Sequence, residues 1–461
     1  MGLATVVGIS GSLAVLTFHQ FLLWLEDILY GSHQGLVANA AHLSPGIRVL
    51  VPACGGLIAG LILQYFLLAR KNDSGTDYME VIAAGSDVPV RSSLLKSVAS
   101  AATVVSGGSI GREGSMVQLA ALTGSIFGSI LRLTAAERRF AVACGAAAGL
   151  AGAYNTPIAG ALFVVEIILG EIRVRSLGPL LLAAAIADFV VRHVSGAAPI
   201  FAATPGNLQS LMELLMVVGM GLVSGLLGPL FIVALDRTHH FFAQLHLPLW
   251  LKMTCAGLAV GGLSAIRPEV WGNGYSVINS LLHQSWLWQN ILLILGLKIL
   301  ATILTSGSGA VGGVFTPTLF IGAALGTLAG HMAQTFLPET SLTAFTLVGM
   351  SAFLAAVTHA PLTAVMMVSE MTSGYGLVPA LLVASLTGHY ISSVLHPPSI
   401  YARSIPTDHP TQTPPTHFIL NTENRAMRFF SQVRHGSVLS HSGPRFEQDN
   451  NIVYCLPGTS F

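Results

Sequence analysis

SGGSIGREGSMVQLAALTGSIFG (106–128) and SGSGAVGGVFTPTLFIGAALGTLAG (306–330) are two copies of one pattern. With Ser115 set on Pro317, Gly107 falls on Gly309, Gly111 on Gly313, Gly124 on Gly326 and Gly128 on Gly330. Each copy is a glycine loop that opens a long apolar helix. Such a loop leaves backbone N–H groups free at the positive end of a helix, and that end attracts an anion without any cation. Two such ends in matching halves of one chain point to a single anion pathway between repeats.

A second pair extends the duplication. With Cys144 set on Val348, CGAAAGLAGAYNTPIAGALFVVEIILG (144–170) matches VGMSAFLAAVTHAPLTAVMMVSEMTSG (348–374) at Gly145/Gly349, Ala148/Ala352, Leu150/Leu354, Ala151/Ala355, Pro157/Pro361, Glu166/Glu370 and Gly170/Gly374. The spacing far exceeds the ~20–50 residues of a solenoid repeat, so the chain reads as two halves of one transporter-like fold. The first repeat is expected at about 1–195, the second at about 208–396, and a final short helix at about 399–406, which closes a membrane domain of residues 1–406. Residues 407–461, rich in Pro, Thr, Ser, His, Asn and Arg, read as a polar, disordered tail.

Composition sets the same class. The 461 residues are 52% hydrophobic and only 9% charged, with mean hydropathy +0.70. Soluble domains carry about 25% charged residues, so most of this chain sits in lipid. An all-α polytopic membrane protein follows. The formal net charge of +1 makes no case for nucleic acid. Cys54, Cys144 and Cys255 lie in apolar runs, far apart from one another and from Cys455, and read as small core residues. Residues 1–25 lack a basic flank and a small-residue cleavage site, and are expected to be a first membrane helix rather than a signal peptide. Several apolar stretches are too short to span a bilayer or are broken by Gly or Pro. Broken helices at membrane depth survive only when buried in protein or lining an aqueous cavity.

Gly111-Arg112-Glu113-Gly114 puts a carboxylate at the mouth of a helix N-terminus. That carboxylate is itself an anion. It can occupy the site and block it, and protonation would release it. An ionisable group at membrane depth is by default a functional candidate; the alternative is a helix-capping acid near the surface. Arg112 reads either as an anion ligand or as a snorkelling or structurally paired side chain. Gly312-Gly313-Val314-Phe315-Thr316-Pro317 carries no charge, and Pro317 fits the first turn of a helix, where its missing N–H costs nothing. Glu166 and Glu370 end corresponding apolar helices, and their duplication favours a structural role such as hydrogen bonds to neighbouring backbone. Formal matches to a nucleophile elbow at 107–111 and a dinucleotide fingerprint at 307–312 lack the strands such sites require. Neither Ser109 nor His359 has a visible catalytic partner, the histidines show no metal-ligand spacing, and no enzyme activity, metal or cofactor is expected.

The motifs GREGS (111–115), GGVFTP (312–317), AAAGLAGAYNTPIAGALFVVE (146–166) and PSIYARS (398–404) resemble those of the CLC chloride channel and transporter family. The likeness covers about residues 1–405 and is nearest to the bacterial voltage-gated ClC-type channels of the B branch. It implies a homodimer in lipid, one pore per subunit, and two inverted halves of tilted helices. The family's gating glutamate corresponds to Glu113. Chloride would be held near Val314 and Phe315 and by the Tyr401 hydroxyl, with Gly111 and Arg112 beside it. The family's serine-bearing motif survives only partly, in Asp73-Ser74-Gly75-Thr76-Asp77, where Ser74 is the best match; Ser115 stands where many members carry proline. Family exchangers commonly carry a second glutamate directly after the Glu166 position. This chain has Ile167 there, as channels have an apolar residue, and Glu171 lies one helical turn further on.

The expected function is therefore a gated chloride channel of the bacterial inner membrane that balances charge, for instance during acid stress. Proton–chloride exchange is the alternative. Both readings require Glu113 to share a cavity with Phe315 and Tyr401.

Overall fold

A computed structural model describes residues 1–32, 34–67, 78–84, 88–170, 174–196, 198–201, 203, 210–402, 448–449 and 452–453. Contacts divide the chain into Met1–Pro406 and Thr407–Phe461. In the second unit the described residues form one antiparallel pair, Gln448–Asp449 with Ile452–Val453.

Met1–Pro406 is helical and built twice. The first half runs α1 (Gly2–Tyr30), α2 (Leu36–His42), α3 (Pro45–Leu61), α4 (Tyr78–Ala84), α5 (Val90–Val105), α6 (Glu113–Ile130), α7 (Ala135–Tyr154), α8 (Pro157–Phe163) and α9 (Val174–Ser195). The second runs α10 (Leu211–Gln244), α11 (Leu249–Ile266), α12 (Tyr275–His283), α13 (Trp288–Gly307), α14 (Phe315–Phe336), α15 (Leu342–Thr358), α16 (Pro361–Thr372) and α17 (Val378–Leu395). Helix α1 packs on α6, α7 and α9 as α10 packs on α14, α15 and α17. The pairs α3/α5 and α11/α13 correspond in the same way. Among the described residues, seven helices are long and apolar enough to cross a membrane. Large apolar side chains such as Leu13, Phe189, Leu230 and Leu292 face outward, which suits lipid and not water.

The apolar stretches 139–170 and 342–373, each continuous by hydropathy, are both broken. The breaks fall at Asn155 and His359, which adopt left-handed φ of 53° and 58°. Pro157 and Pro361 follow two residues later. A proline lacks the N–H needed to continue a helix and restricts the residue before it. Helices α6 and α7 close on each other where Gly124 faces the Ala141 carbonyl, and α14 and α15 do so where Gly326 faces that of Phe345. A Cβ at these glycines would stand only 2.3 and 2.2 Å from those oxygens. The final short helix expected at about 399–406 is described as far as Ala402, where the chain makes a turn closed by Ala402 N–H to Ser399 O at 3.0 Å.

Two sets of contacts between the halves obey the repeat: one joins equivalent residues, and the other is reciprocal. Gly111 and Gly313 form an isolated antiparallel bridge, with N–H···O distances of 2.6 and 2.9 Å. An antiparallel exchange between equivalent residues places a local two-fold axis through the pair, so the halves are inverted. The glutamates repeat this logic. Glu370 accepts from the N–H groups of Ile158 and Ala159 at 3.0 and 2.9 Å. Glu166 accepts from those of Leu362 and Thr363 at 3.1 and 2.8 Å. Each carboxylate caps the broken helix of the opposite half.

Glu370→Ala would leave the Ile158 and Ala159 N–H groups without acceptors, which costs about 1–3 kcal/mol for each buried donor. Thermal unfolding in detergent should show a clearly lower midpoint for Glu370→Ala, and Glu370→Gln should recover part of the loss.

Candidate functional site

The two glycine loops deliver the first turns of α6 and α14 to the centre of the molecule. Gly107 and Gly309 make this possible with φ of 92° and 97°, a region that a side chain disfavours. Arg112 and Val314 are the N-cap residues of α6 and α14, and neither caps its helix with a side chain. First-turn N–H groups have no acceptor within their own helix, so those of Phe315 and Thr316 remain at an uncapped end.

A cavity of about 510 Å³ opens against this end. Glu113, Gly313, Val314, Phe315 and Tyr401 all line it. A second cavity, of about 390 Å³, is lined by Arg112, His19, Tyr275 and Asn279. Among the described residues, none lines both. Glu113 and Arg112 are adjacent in sequence yet face different cavities, so the wall between them includes the start of α6. Glu113 is only 2% exposed.

The wall is polar where it matters. Asn273 Nδ2 donates to Glu113 Oε1 at 3.1 Å, while Glu113 Oε2 has no hydrogen-bond partner among the described residues. Tyr154 on α7 and Thr316 on α14 bond through their hydroxyls at 3.1 Å. Tyr154 lines the first cavity and Tyr275 the second, with ring centroids 6.4 Å apart. Phe163 packs edge-on to Tyr401 at 5.6 Å and to Phe315 at 6.3 Å, which positions the tyrosine beside the first turn of α14.

Two of the candidate residues stand apart from the rest. The Gly111 N–H is not available to an anion, because Gly313 O accepts it at 2.6 Å. Arg112 does not join Val314, Phe315 and Tyr401; it lines the other cavity, with its guanidinium 6.0 Å from the centroid of the Tyr275 ring. Ser74 and Glu171 lie outside the described residues. Ile167 is 9% exposed and packs in the core.

Sequence reasoning missed Lys298, on α13, although a lone lysine in an apolar helix is a signal in itself. It is fully buried and donates to Val270 O and Gly272 O at 2.8 and 2.5 Å. Its ammonium also lies 5.8 Å from the centroid of the Phe320 ring. Lys298 thereby clamps the loop that carries Asn273. Asn273 was missed too, because a polar residue between Gly272 and Gly274 signals only a turn.

The family model described as voltage gated chloride channel matches residues 55–393. A ClcB-like chloride channel protein of Ralstonia nicotianae, which carries that name provisionally, is 47% identical over 412 residues, covering 88% of this chain and 96% of its own. The voltage-gated ClC-type chloride channel ClcB of Citrobacter koseri is 42% identical over 407 residues, covering 87% and 97%. Among solved structures, a slow cyanobacterial Cl⁻/H⁺ antiporter superposes with a TM-score of 0.75 at 24% identity, covering 87% of this chain and 96% of that one. At that identity the likeness speaks for the fold alone.

Lys298→Met keeps the apolar contact with Phe320 but strands two carbonyl groups. Hydrogen–deuterium exchange across residues 268–274 should quicken in that variant, while exchange in α17 should stay at the wild-type rate.

Proposed function

The chain belongs to the voltage gated chloride channel family, and from that premise we propose that it is a gated, passive pathway for chloride. The observation that carries the reading is the cavity shared by Glu113, the first turn of α14 and Tyr401. Chloride enters this cavity, sheds water, and is held by the N–H groups of Val314 and Phe315 and by the Tyr401 hydroxyl. Amide and hydroxyl dipoles suit conduction, because binding must be favourable enough to enter and weak enough to leave.

Glu113 is the gate. Ionised, it stands in the wall between the cavities as a tethered anion and competes with chloride for the same positive helix end. Protonation or displacement frees that end. Flux therefore rises as pH falls, since protonation removes the blocking charge. Voltage acts on the same group: a unit charge crossing the full membrane field gains about 2.3 kcal/mol per 100 mV. Arg112, in the second cavity, favours anions on the far side of the gate.

A channel is favoured over an exchanger by Ile167, which cannot take up a proton where exchangers of the family commonly carry an acid. The protein functions as a homodimer with one pore per subunit in a bacterial inner membrane. There it balances charge moved by other processes. Bacterial relatives at 42–47% identity along most of their length support that setting.

Reconstituted in liposomes, the protein should dissipate a chloride gradient without moving protons uphill; fixed-ratio proton movement against its gradient would establish exchange instead. Glu113→Gln should conduct at a level independent of pH, and Tyr401→Ala should weaken chloride binding measured by calorimetry.

A further inference from the structure

The buried carboxylate of Glu113 is held from one side only. Oε1 receives the Asn273 amide, and Oε2 has no hydrogen-bond partner among the described residues. A buried acceptor without a donor is costly. A capping acid with a purely structural role has no reason to carry that cost; Glu166 and Glu370, by contrast, use both oxygens. The arrangement is that of a group which must let go.

The orientation of Asn273 is set independently. Its Oδ1 accepts the Tyr275 N–H at 3.3 Å, which turns Nδ2, a donor without acceptor capacity, toward Glu113. The loop beneath it is anchored by Lys298 through Val270 O and Gly272 O. An amide donor bonds an ionised carboxylate about twice as strongly as a neutral acid. Asn273 thus discriminates between the two charge states of the gate.

We propose that Asn273 is a latch that holds ionised Glu113 in its blocking position and so sets the pH at which the pathway opens. This rests on the reading of Glu113 as the gate and adds its regulation. The other groups around Glu113 are known. Arg112 precedes it, Tyr154 comes from α7, Tyr275 from α12, and Lys298 of α13 stands behind the loop. Lys96 of α5, Asp236 and His239 of α10, and Tyr401 line the cavity that Glu113 faces. All are retained when Asn273 alone is changed, so a shift in the pH profile reports the latch.

The test is chloride efflux from liposomes containing the full chain, across an acid-to-neutral pH series. Wild type should open on acidification. In Asn273→Ala the ionised, blocking state loses its donor, release occurs at lower proton concentration, and the half-maximal pH should rise by about one unit. Asn273→Asp keeps the shape of the side chain but opposes two carboxylates, and should conduct near maximally already at neutral pH. In a Glu113→Gln background the Asn273→Ala change should alter neither rate nor pH profile, which a merely structural role would not predict. A pH-gated wild type whose two Asn273 variants keep its midpoint would overturn the latch and leave the gate standing. A wild type whose chloride flux ignores pH would overturn both.

Discussion

Backbone polar groups cannot be left unpaired in lipid, and this constraint organises the protein. A broken helix exposes N–H groups at the break, each worth several kcal/mol if stranded in hydrocarbon. This chain breaks helices on both sides of its centre and lets each half satisfy the other. Gly111 and Gly313 exchange N–H···O bonds. Glu370 caps the helix that starts at Pro157, and Glu166 caps the one that starts at Pro361. Neither half could bury its broken ends alone, which binds the duplicated halves into one unit.

The same accounting locates the site. Where the halves pair, their amides are consumed, as at Gly111 and Gly313. Where pairing stops, one residue further on, the uncapped first turn of α14 faces a cavity. A glycine pair is needed at the crossing because the loops that open α6 and α14 approach there through their backbones; a Cβ on Gly111 would stand 2.9 Å from Gly313 O. A carboxylate at the start of α6 then sits within the wall and receives the amide of Asn273. Around it the structure uses aromatic rings, from Tyr154 to Phe163 and Tyr401, to hold hydroxyls without adding charge. Charge appears where it is tied down: Lys298 is bonded to two carbonyls.

Much of this was legible in the residues. Offsets between matching glycines, prolines and glutamates revealed the duplication, because close helix packing, helix starts and caps each demand a particular residue type. Glu113 stood out because an acid in an apolar stretch is expensive. The doubled Glu166/Glu370 pair read as structural, and hydrogen bonds to backbone are what they make. Gly111 and Arg112 could not be assigned in the same way. Whether a loop amide faces an ion or another backbone depends on a partner a whole repeat away along the chain, and adjacent residues on a loop can face different cavities.

By itself, the amino-acid sequence determined that this is a helical membrane protein of two related halves, with two glycine loops opening helices and one acid at such a loop. These follow from local chemistry: hydropathy, backbone freedom at glycine, the missing proline N–H and the cost of charge in lipid. Only the tertiary structure decided that the Gly111 and Gly313 amides pair with each other, that Arg112 and Glu113 face different cavities, and that Lys298 anchors the loop whose Asn273 bonds Glu113. Those are long-range pairings between residues 111 and 313, 113 and 273, or 272 and 298. No periodicity along the chain encodes them, because each joins residues far apart in sequence that only folding brings together.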